Sequence, residues 1–326
     1  MSRLHDIGGR LGDGPVQPGL ERDPVFDKPW HARALALTAL NATLDTAALR
    51  IDASLGSREH TMSHSLCETC GEEWSRERRD FALDEYDGRW VRYFGSSTII
   101  KDRRHYLAFR GILFAGMLAI TVASITIEQL AGKGRCWPIY LTHQGALIET
   151  VYLGLAFATT GKAFYFSDVE GTADAPEKTP WYCRAAWILQ GVGLPASFLI
   201  FVLYWGLVYE GSLHPISPWT HGVNFVLMMA DQALSNQPMY LIHGLIFMAY
   251  AFLYVLWSWV HFASGLKNCS NDRYIYASLN WKYAGDTGKL AAIILFVVAP
   301  FFNVLFWCCF FRRIRGVATR AARGEA

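Results

Sequence analysis

The amino-acid sequence predicts an all-α protein, a polytopic membrane helical bundle of about six transmembrane helices preceded by a cytosolic arm and helical region. The first observation behind this prediction is composition: 52% of the 326 residues are hydrophobic, with 12 Trp and 20 Phe among them. The second is charge: residues 1–105 carry 15 of the 30 Lys and Arg and 17 of the 28 Asp and Glu. The third is a series of apolar runs as long as a membrane is thick.

A hydrocarbon core roughly 30 Å thick needs about 20 residues of apolar helix to cross it. Five segments meet this requirement, namely 106–127, 137–160, 185–208, 239–262 and 290–311. The segment 219–234 is shorter and more polar. Counting it as a span gives six, and with six spans both termini lie on one side of the membrane.

Three domains follow from these spans: a cytosolic region at 1–105, a transmembrane domain at 106–311 and a basic cytosolic tail at 312–326. Thirteen Lys and Arg near the spans lie on the side that holds the termini, against six on the other side. The excess of positive charge places both termini in the cytosol. The first 30 residues lack an apolar stretch, so we expect no cleaved signal peptide.

The formal net charge of the chain is only +2, and no stripe of Lys and Arg interleaved with aromatic residues occurs outside the tail. This argues against nucleic acid as a partner. The expected surroundings of the apolar segments are the lipids of a bilayer.

Residues 1–29 are rich in Gly, Pro and Asp and have no helical or strand period, which is typical of an extended arm. Their pattern is similar to the N-terminal arm of the nitrile hydratase β subunit, and the similarity extends over about 75 residues. The residues that carry it are His5, Asp6, Gly8, Gly9, Gly12, Gly14, Pro15 and Trp30. In that family the arm wraps a metal-bearing α subunit, so the resemblance implies a protein partner at the arm. An Arg of that family contacts the metal site of the α subunit, and Arg50 is the matching residue here.

A group of His and Cys residues follows at close spacing: His60, His64, Cys67 and Cys70. These side-chain types and spacings suggest a zinc site. A straight helix of ten residues spans about 15 Å, so the four could surround one ion only with a turn between His64 and Cys67. The other interpretation is an exposed polar helix in a reducing cytosol.

Cys136 and Cys269 fall in the two large loops on the non-cytosolic side. They could form a disulfide in an oxidising compartment. Two unpaired thiols are the other interpretation, because the sequence gives no distance between them.

The most informative polar pattern lies in the sixth, shorter segment. A helix that starts near residue 219 places His221, Asn224, Met228 and Asp231 on one stripe. A polar stripe in an apolar segment faces either other helices or a wet cavity.

The second span carries a matching feature. Thr142 and Glu149 share a face, with Gly145 and Ala146 between them. Small residues allow another helix to approach closely. An ionised Glu in lipid is costly, so we expect Glu149 to face a partner or a cavity, or to be neutral.

Three short motifs together resemble the rolling stone branch of the androgen-induced protein superfamily. They are Tyr140-Leu141-Thr142, the run from Trp219 to Asn224, and the loop 272–281. The resemblance covers roughly residues 100–311. It implies two roles, because one branch of the superfamily hydrolyses fatty-acid esters within the membrane, and the rolling stone branch is linked to cell fusion.

The ester hydrolases use a Thr nucleophile and the second His of a His-Gly-x-His motif, and Thr142 matches that Thr. This chain has Asn224 at the place of the second His, and an amide cannot take up a proton at neutral pH. Only His221 or His143 could act as the base.

The sequence favours the first of two functions, with the second as the alternative, and whether the protein is an enzyme stays open. The first is an anchoring or accessory membrane subunit whose cytosolic arm binds a partner. The second is a membrane-embedded lipid ester hydrolase with Thr142 as the nucleophile.

Overall fold

The structure is a computed structural model that describes residues 90–165, 178–209, 211 and 215–322, with side chains as far as residue 310. These residues belong to one compact unit of the chain, His60–Ala326. The partner-binding residues predicted in the arm and the predicted zinc residues lie outside the described part of the chain. The arm's partner, the zinc site and the domain boundary at residue 105 therefore stay predictions.

Helices are numbered here within the described residues. Eight α-helices occur in them: α1 Trp90–Phe94, α2 Arg103–Leu130, α3 Leu141–Tyr165, α4 Trp181–Leu203, α5 Asn224–Leu234, α6 Gly244–Ala263, α7 Ala284–Ile293 and α8 Ala299–Ala322. Short 3₁₀ turns precede α3, α6 and α7. Three π-helical turns complete the set, at Tyr204–Val208 after α4, Trp219–Val223 before α5 and Ile294–Val298 between α7 and α8.

The start of α2 follows from its sequence. The Asp102 side chain accepts hydrogen bonds from the backbone N–H groups of Arg104 and His105, at 2.7 and 3.2 Å. An N-cap of this kind satisfies donors that have no partner within the helix. The helix ends before Gly132, whose φ of +71° suits a residue without a Cβ.

The helices pack around a shared apolar core, with α3 between α2 and α4. Fully buried side chains from successive helices meet there, such as Met117 of α2, Leu153 of α3, Leu194 of α4 and Phe247 of α6. Other large apolar side chains point outward, and Phe296 is 74% exposed. Since a soluble protein rarely exposes such a surface broadly, the outer face of the bundle suits contact with lipid.

Helix α1 packs against the bundle. Trp90 and Phe94 are each 1% exposed and join a second apolar cluster with Trp187 of α4. Just beyond α1, the backbone pairs with the end of α5 through an isolated bridge between Ser97 and Ser235. The short segment before α2 is thus part of the folded bundle.

The sequence prediction of a helical membrane protein is confirmed, because within the described residues four helical segments are long and apolar enough to cross a membrane. They are Arg103–Leu130, Trp181–Val208, Leu241–Ala263 and Ala277–Phe310. Each contains most or all of a predicted span.

The count of six spans is not confirmed. Helix α3 has 25 residues, but its polar side chains, Glu149 among them, lower its mean hydropathy. The sixth segment forms a π-turn of 5 residues and a helix of 11, about 24 Å at 1.5 Å per residue, which is shorter than the hydrocarbon core.

Candidate functional site

A cavity of about 290 Å³ opens at the end of the bundle where α3 begins. This volume lies just below the roughly 300–1,000 Å³ typical of small-molecule sites. Its walls are mostly apolar and include Leu199, Ile200, Leu203, Phe247 and Ile294. Its polar lining comes from Thr142, His143, His221 and several tyrosines.

The three π-turns all border this cavity. Tyr204, His221 and Ile294 each belong to a different π-turn, and each lines the cavity. A π-turn adds one residue to a helical turn and is frequent at functional sites. Here the three turns change the direction of side chains that a regular helix would place elsewhere.

Thr142 and His221 meet in the cavity. The distance from Thr142 Oγ1 to His221 Nδ1 is 3.4 Å, and the two residues lie 79 positions apart. A working general base lies within about 2.6–3.2 Å of its proton donor, and such distances are often longer without substrate. The structure thus brings these two sequence-predicted residues into contact in the cavity.

Tyr204 fixes the imidazole of His221. The two rings are parallel, with an interplanar angle of 3° and centroids 3.5 Å apart. A flat contact of this kind limits rotation of the imidazole about its χ2 bond. Tyr204 therefore helps to keep Nδ1 of His221 pointed at Thr142.

Thr142 lies in the first turn of α3, where backbone N–H groups lack partners within the helix. The N–H of Leu141 donates to the Tyr254 hydroxyl at 3.0 Å, and Tyr254 donates to the carbonyl of Ile139 at 3.1 Å. Burial raises the pKa of the Tyr276 hydroxyl, while its contacts with Thr142 oppose the shift. The positive end of the helix dipole and the protonated Tyr276 together favour negative charge beside Thr142.

His143 lines the same cavity, but its side chain contacts Trp137 and not Thr142. Its Nδ1 lies 2.7 Å from the carbonyl oxygen of Trp137, and its ring stacks on the Trp137 indole with centroids 4.8 Å apart. Among the described residues, the structure places His221, and not His143, within reach of the Thr142 hydroxyl.

The predicted stripe on the sixth segment divides into two parts. His221 lines the cavity, whereas Asn224, Met228 and Asp231 are buried in the bundle, with 0%, 1% and 0% of their surface exposed. Glu149 of α3 is buried to the same extent, at 0%. Asn224 therefore stands behind the cavity wall.

Asp231 belongs to a buried ion pair at the other end of the bundle. Arg110 Nε donates to its Oδ1 at 2.9 Å, Arg110 Nη2 donates to its Oδ2 at 3.3 Å, and the Tyr152 hydroxyl also donates to Oδ2. Arg110 Nη1 donates to the backbone carbonyls of Phe94 and Ala156 and to Thr160 Oγ1. These hydrogen bonds join α1, α2, α3 and α5. Both charged side chains of the pair have hydrogen-bond partners.

Arg110 is a residue that the sequence reasoning missed. It lies in the first apolar span, and an ionisable residue within a span marks either a site or a buried pair. That signal was present in the sequence. Tyr204 had no such signal, because a tyrosine at the end of a span is common in membrane proteins. Tyr276 lies in the motif loop 272–281, but the motif did not indicate a contact with Thr142.

Cys136 and Cys269 form a disulfide in the structure, with a Cα–Cα distance of 5.9 Å. Cys269 also lines the cavity. The bond joins the loop before α3 to the loop before α7, so it fixes two parts of the cavity rim to each other. No group of three or more His, Cys, Asp and Glu residues that could hold a metal ion occurs within residues 90–165, 178–209 and 215–310.

Comparison with known proteins agrees with the motifs. The sequence model "Nitrile hydratase beta subunit, N-terminal" matches residues 1–96, and the model "Protein rolling stone" matches residues 62–321. Protein rolling stone of Drosophila melanogaster is 24% identical over 229 residues, which are 66% of this chain and 80% of that protein. No solved structure gives a significant match. Since the second model spans most of the chain, including every described helix from α1 to α7, the chain belongs to the rolling stone family.

Proposed function

We propose that this membrane protein hydrolyses an ester of an apolar acyl chain, with Thr142 as the nucleophile and His221 as the base. The observation that supports this most directly is the 3.4 Å distance between Thr142 Oγ1 and His221 Nδ1 in a shared cavity. A nucleophile next to a base that a third group orients is the arrangement expected of covalent catalysis. Here Tyr204 is the orienting group.

The reaction would proceed in two balanced halves. His221 Nδ1 takes the hydroxyl proton of Thr142 as Oγ1 bonds to the ester carbonyl carbon, and the carbonyl oxygen becomes negative. Collapse breaks the bond to the alcohol, which leaves with the proton from His221. Water then repeats these steps, releasing the acid and restoring Thr142.

The surroundings suit this chemistry. The oxyanion would form near the first turn of α3, where the positive end of the helix dipole favours negative charge, with the Tyr276 hydroxyl close to Thr142. The apolar walls, such as Leu203 and Phe247, suit an acyl chain. His221 must carry its proton on Nε2 for Nδ1 to accept.

Labelling with a fluorophosphonate probe tests this proposal. We expect the purified full-length protein to be labelled, and Thr142→Val to abolish labelling because Val lacks the hydroxyl. Thr150→Val is the matched control, since Thr150 lies on the same helix and bonds to Thr121 at 2.8 Å instead of facing the cavity. Wild type that is not labelled, or labelling that survives Thr142→Val, would rule out this nucleophile.

Replacement of the base tests the other half of the pair. His221→Gln keeps the size of the side chain but cannot take up a proton, so we expect ester hydrolysis to fall by roughly 10²–10⁴-fold, the usual contribution of a general base. His143→Gln should leave most of the activity, because His143 Nδ1 bonds to the Trp137 carbonyl. Equal losses in both variants would contradict the assignment of His221.

A second role is favoured by the match of residues 1–96 to the nitrile hydratase β subunit. In this role the N-terminal arm binds a cytosolic protein partner, and the bundle anchors the assembly in the membrane. Deletion of residues 1–30 should release that partner in a pull-down from mild detergent, and deletion of residues 312–326 should not. A protein that purifies alone in every case would contradict this role.

The proposed topology keeps residues 1–105 and 312–326 in the cytosol and residues 106–311 in the membrane. The disulfide between Cys136 and Cys269 supports it, because disulfides persist in oxidising compartments and both cysteines lie in loops opposite the proposed side of the termini. In sealed right-side-out vesicles, an impermeant thiol reagent should label Lys282→Cys directly and Gly324→Cys only after permeabilisation. The reverse labelling pattern would contradict the proposal and place the termini on the non-cytosolic side.

A further inference from the structure

Glu149 is a buried carboxyl group that the proposed hydrolysis does not use. Its exposed fraction is 0%, and both of its oxygens lack a hydrogen-bond partner among the described residues. An ionised carboxyl group in an apolar interior is very costly unless it is paired. Asp231, by contrast, is paired with Arg110 in the same bundle.

Among the described side chains, no cation pairs with Glu149. Asn224 of α5 is the polar neighbour whose side chain acts on Glu149, although no hydrogen bond of normal geometry joins them. Tyr250 of α6 is the titratable group that interacts with it. Gly193 of α4 and Gly145 of its own helix provide only backbone and space, since a Cβ at these glycines would contact the Glu149 side chain at 3.5–3.6 Å.

Two other buried polar atoms lie near Glu149 and are compatible with a neutral acid. The Asn224 amide nitrogen and the Tyr250 hydroxyl are buried and have no partner among the described residues. The amide is a donor, and a carboxylic acid offers both a carbonyl acceptor and a hydroxyl donor. A protonated Glu149 can accept from the Asn224 amide and donate to the Tyr250 oxygen. A carboxylate could accept from both groups, but its charge would stay buried without a counter-ion, and this cost favours the neutral acid.

Glu149 also lies next to the cavity. It shares a face of α3 with Thr142, two turns away, and Gly145 stands between them. Tyr250 lines the cavity, whereas Glu149 lies behind the wall. Tyr250 of α6 thus lines the cavity and also interacts electrostatically with Glu149.

We propose that Glu149 is a proton-binding site in the membrane interior, held as a neutral carboxylic acid that exchanges its proton with the cavity through Tyr250. In the exchange, Tyr250 accepts the Glu149 proton on its oxygen as its own hydroxyl proton passes to a water in the cavity. The tyrosine stays neutral, and the return step restores the acid. This proposal does not depend on ester hydrolysis, because neither Glu149 nor Tyr250 takes part in the proposed reaction.

Infrared spectroscopy of the purified full-length protein tests this site at neutral pH. We expect the carbonyl band of a protonated carboxylic acid in wild type, and its loss in Glu149→Gln. Glu128→Gln is the matched control, since Glu128 is a partly exposed glutamate at the cavity, and it should keep the band. No such band in wild type, or a band that survives Glu149→Gln, overturns the proposal.

Two further measurements test the proton route through Tyr250 and distinguish proton binding from metal-cation binding. Transfer to heavy water should shift the band quickly in wild type and more slowly in Tyr250→Phe, and an equal rate would overturn the route through Tyr250. Addition of sodium chloride at constant pH should leave the band unchanged. Loss of the band with sodium would make Glu149 a metal-cation site and overturn proton binding.

Discussion

The buried ion pair between Arg110 and Asp231 gives the sharpest test of what holds the bundle together. Asp231→Asn removes the negative charge but keeps the shape of the side chain. Arg110 would then remain charged, 1% exposed, with no counter-ion at Nε and Nη2. Removal of one partner of a buried pair costs about 3–5 kcal/mol.

An exposed pair in the same chain provides the matched control. Lys289 and Asp286 are 3.2 Å apart, but their side chains are 76% and 74% exposed. Exposed pairs contribute only about 0–1 kcal/mol. Asp286→Asn should therefore change the free energy of unfolding by at most about 1 kcal/mol, although the distance resembles the 2.9 Å of the buried pair.

The assay is reversible unfolding in mixed micelles, followed by tryptophan fluorescence. A triple variant, Arg110→Met with Asp231→Leu and Tyr152→Phe, removes both charges and the hydroxyl that donates to Asp231. It should recover most of the loss, because replacement of a buried pair by apolar residues is often neutral. A cost below about 1 kcal/mol for Asp231→Asn, or no recovery in the triple variant, would refute the reasoning.

Two other predictions concern packing and pH. A Cβ at Gly95 would overlap the Cβ of Ala163, so Gly95→Ala should destabilise the protein by about 1–3 kcal/mol in the same unfolding assay. The control is Gly288→Ala in α7, which should be neutral or stabilising because the space around Gly288 is open. Hydrogen bonds from the backbone N–H groups of His105 and then Arg104 lower the pKa of Asp102 below its ordinary 3.8. Because the pKa is lower in the folded state, the cap stabilises the start of α2 fully well above pH 4. This stabilisation is lost as the pH falls through the lowered pKa. The amide chemical shift of His105 should report that titration, and a midpoint at or above the ordinary value would contradict the cap.

Much of the fold was predictable because helices in a membrane are encoded locally. Each helix must satisfy its own backbone hydrogen bonds within the segment, so an apolar run of sufficient length is enough to indicate it. The predicted segment 239–262 and the observed Leu241–Ala263 differ by only a few residues. The second predicted span forms a helix of sufficient length, but polar side chains such as Glu149 lower its hydropathy. Length alone therefore does not decide whether this helix crosses the membrane.

The candidate site was predictable only in part. The motifs around Thr142 and His221 indicated these residues, but not that they lie 3.4 Å apart. The regular spacing that placed His221, Asn224 and Asp231 on one stripe did not include the π-turn at Trp219–Val223. That turn contains His221, which faces the cavity, and it ends just before Asn224, the first of the core residues.

The class of the protein, the approximate places of its helices and its family could be predicted from the sequence, because they depend on composition and on short motifs. Which polar residues meet could be learned only from the packing of the helices. Arg110 and Asp231 lie 121 positions apart, and Cys136 and Cys269 lie 133 apart. A local pattern carries no distance between such residues, and their pairing follows from how the helices pack against one another.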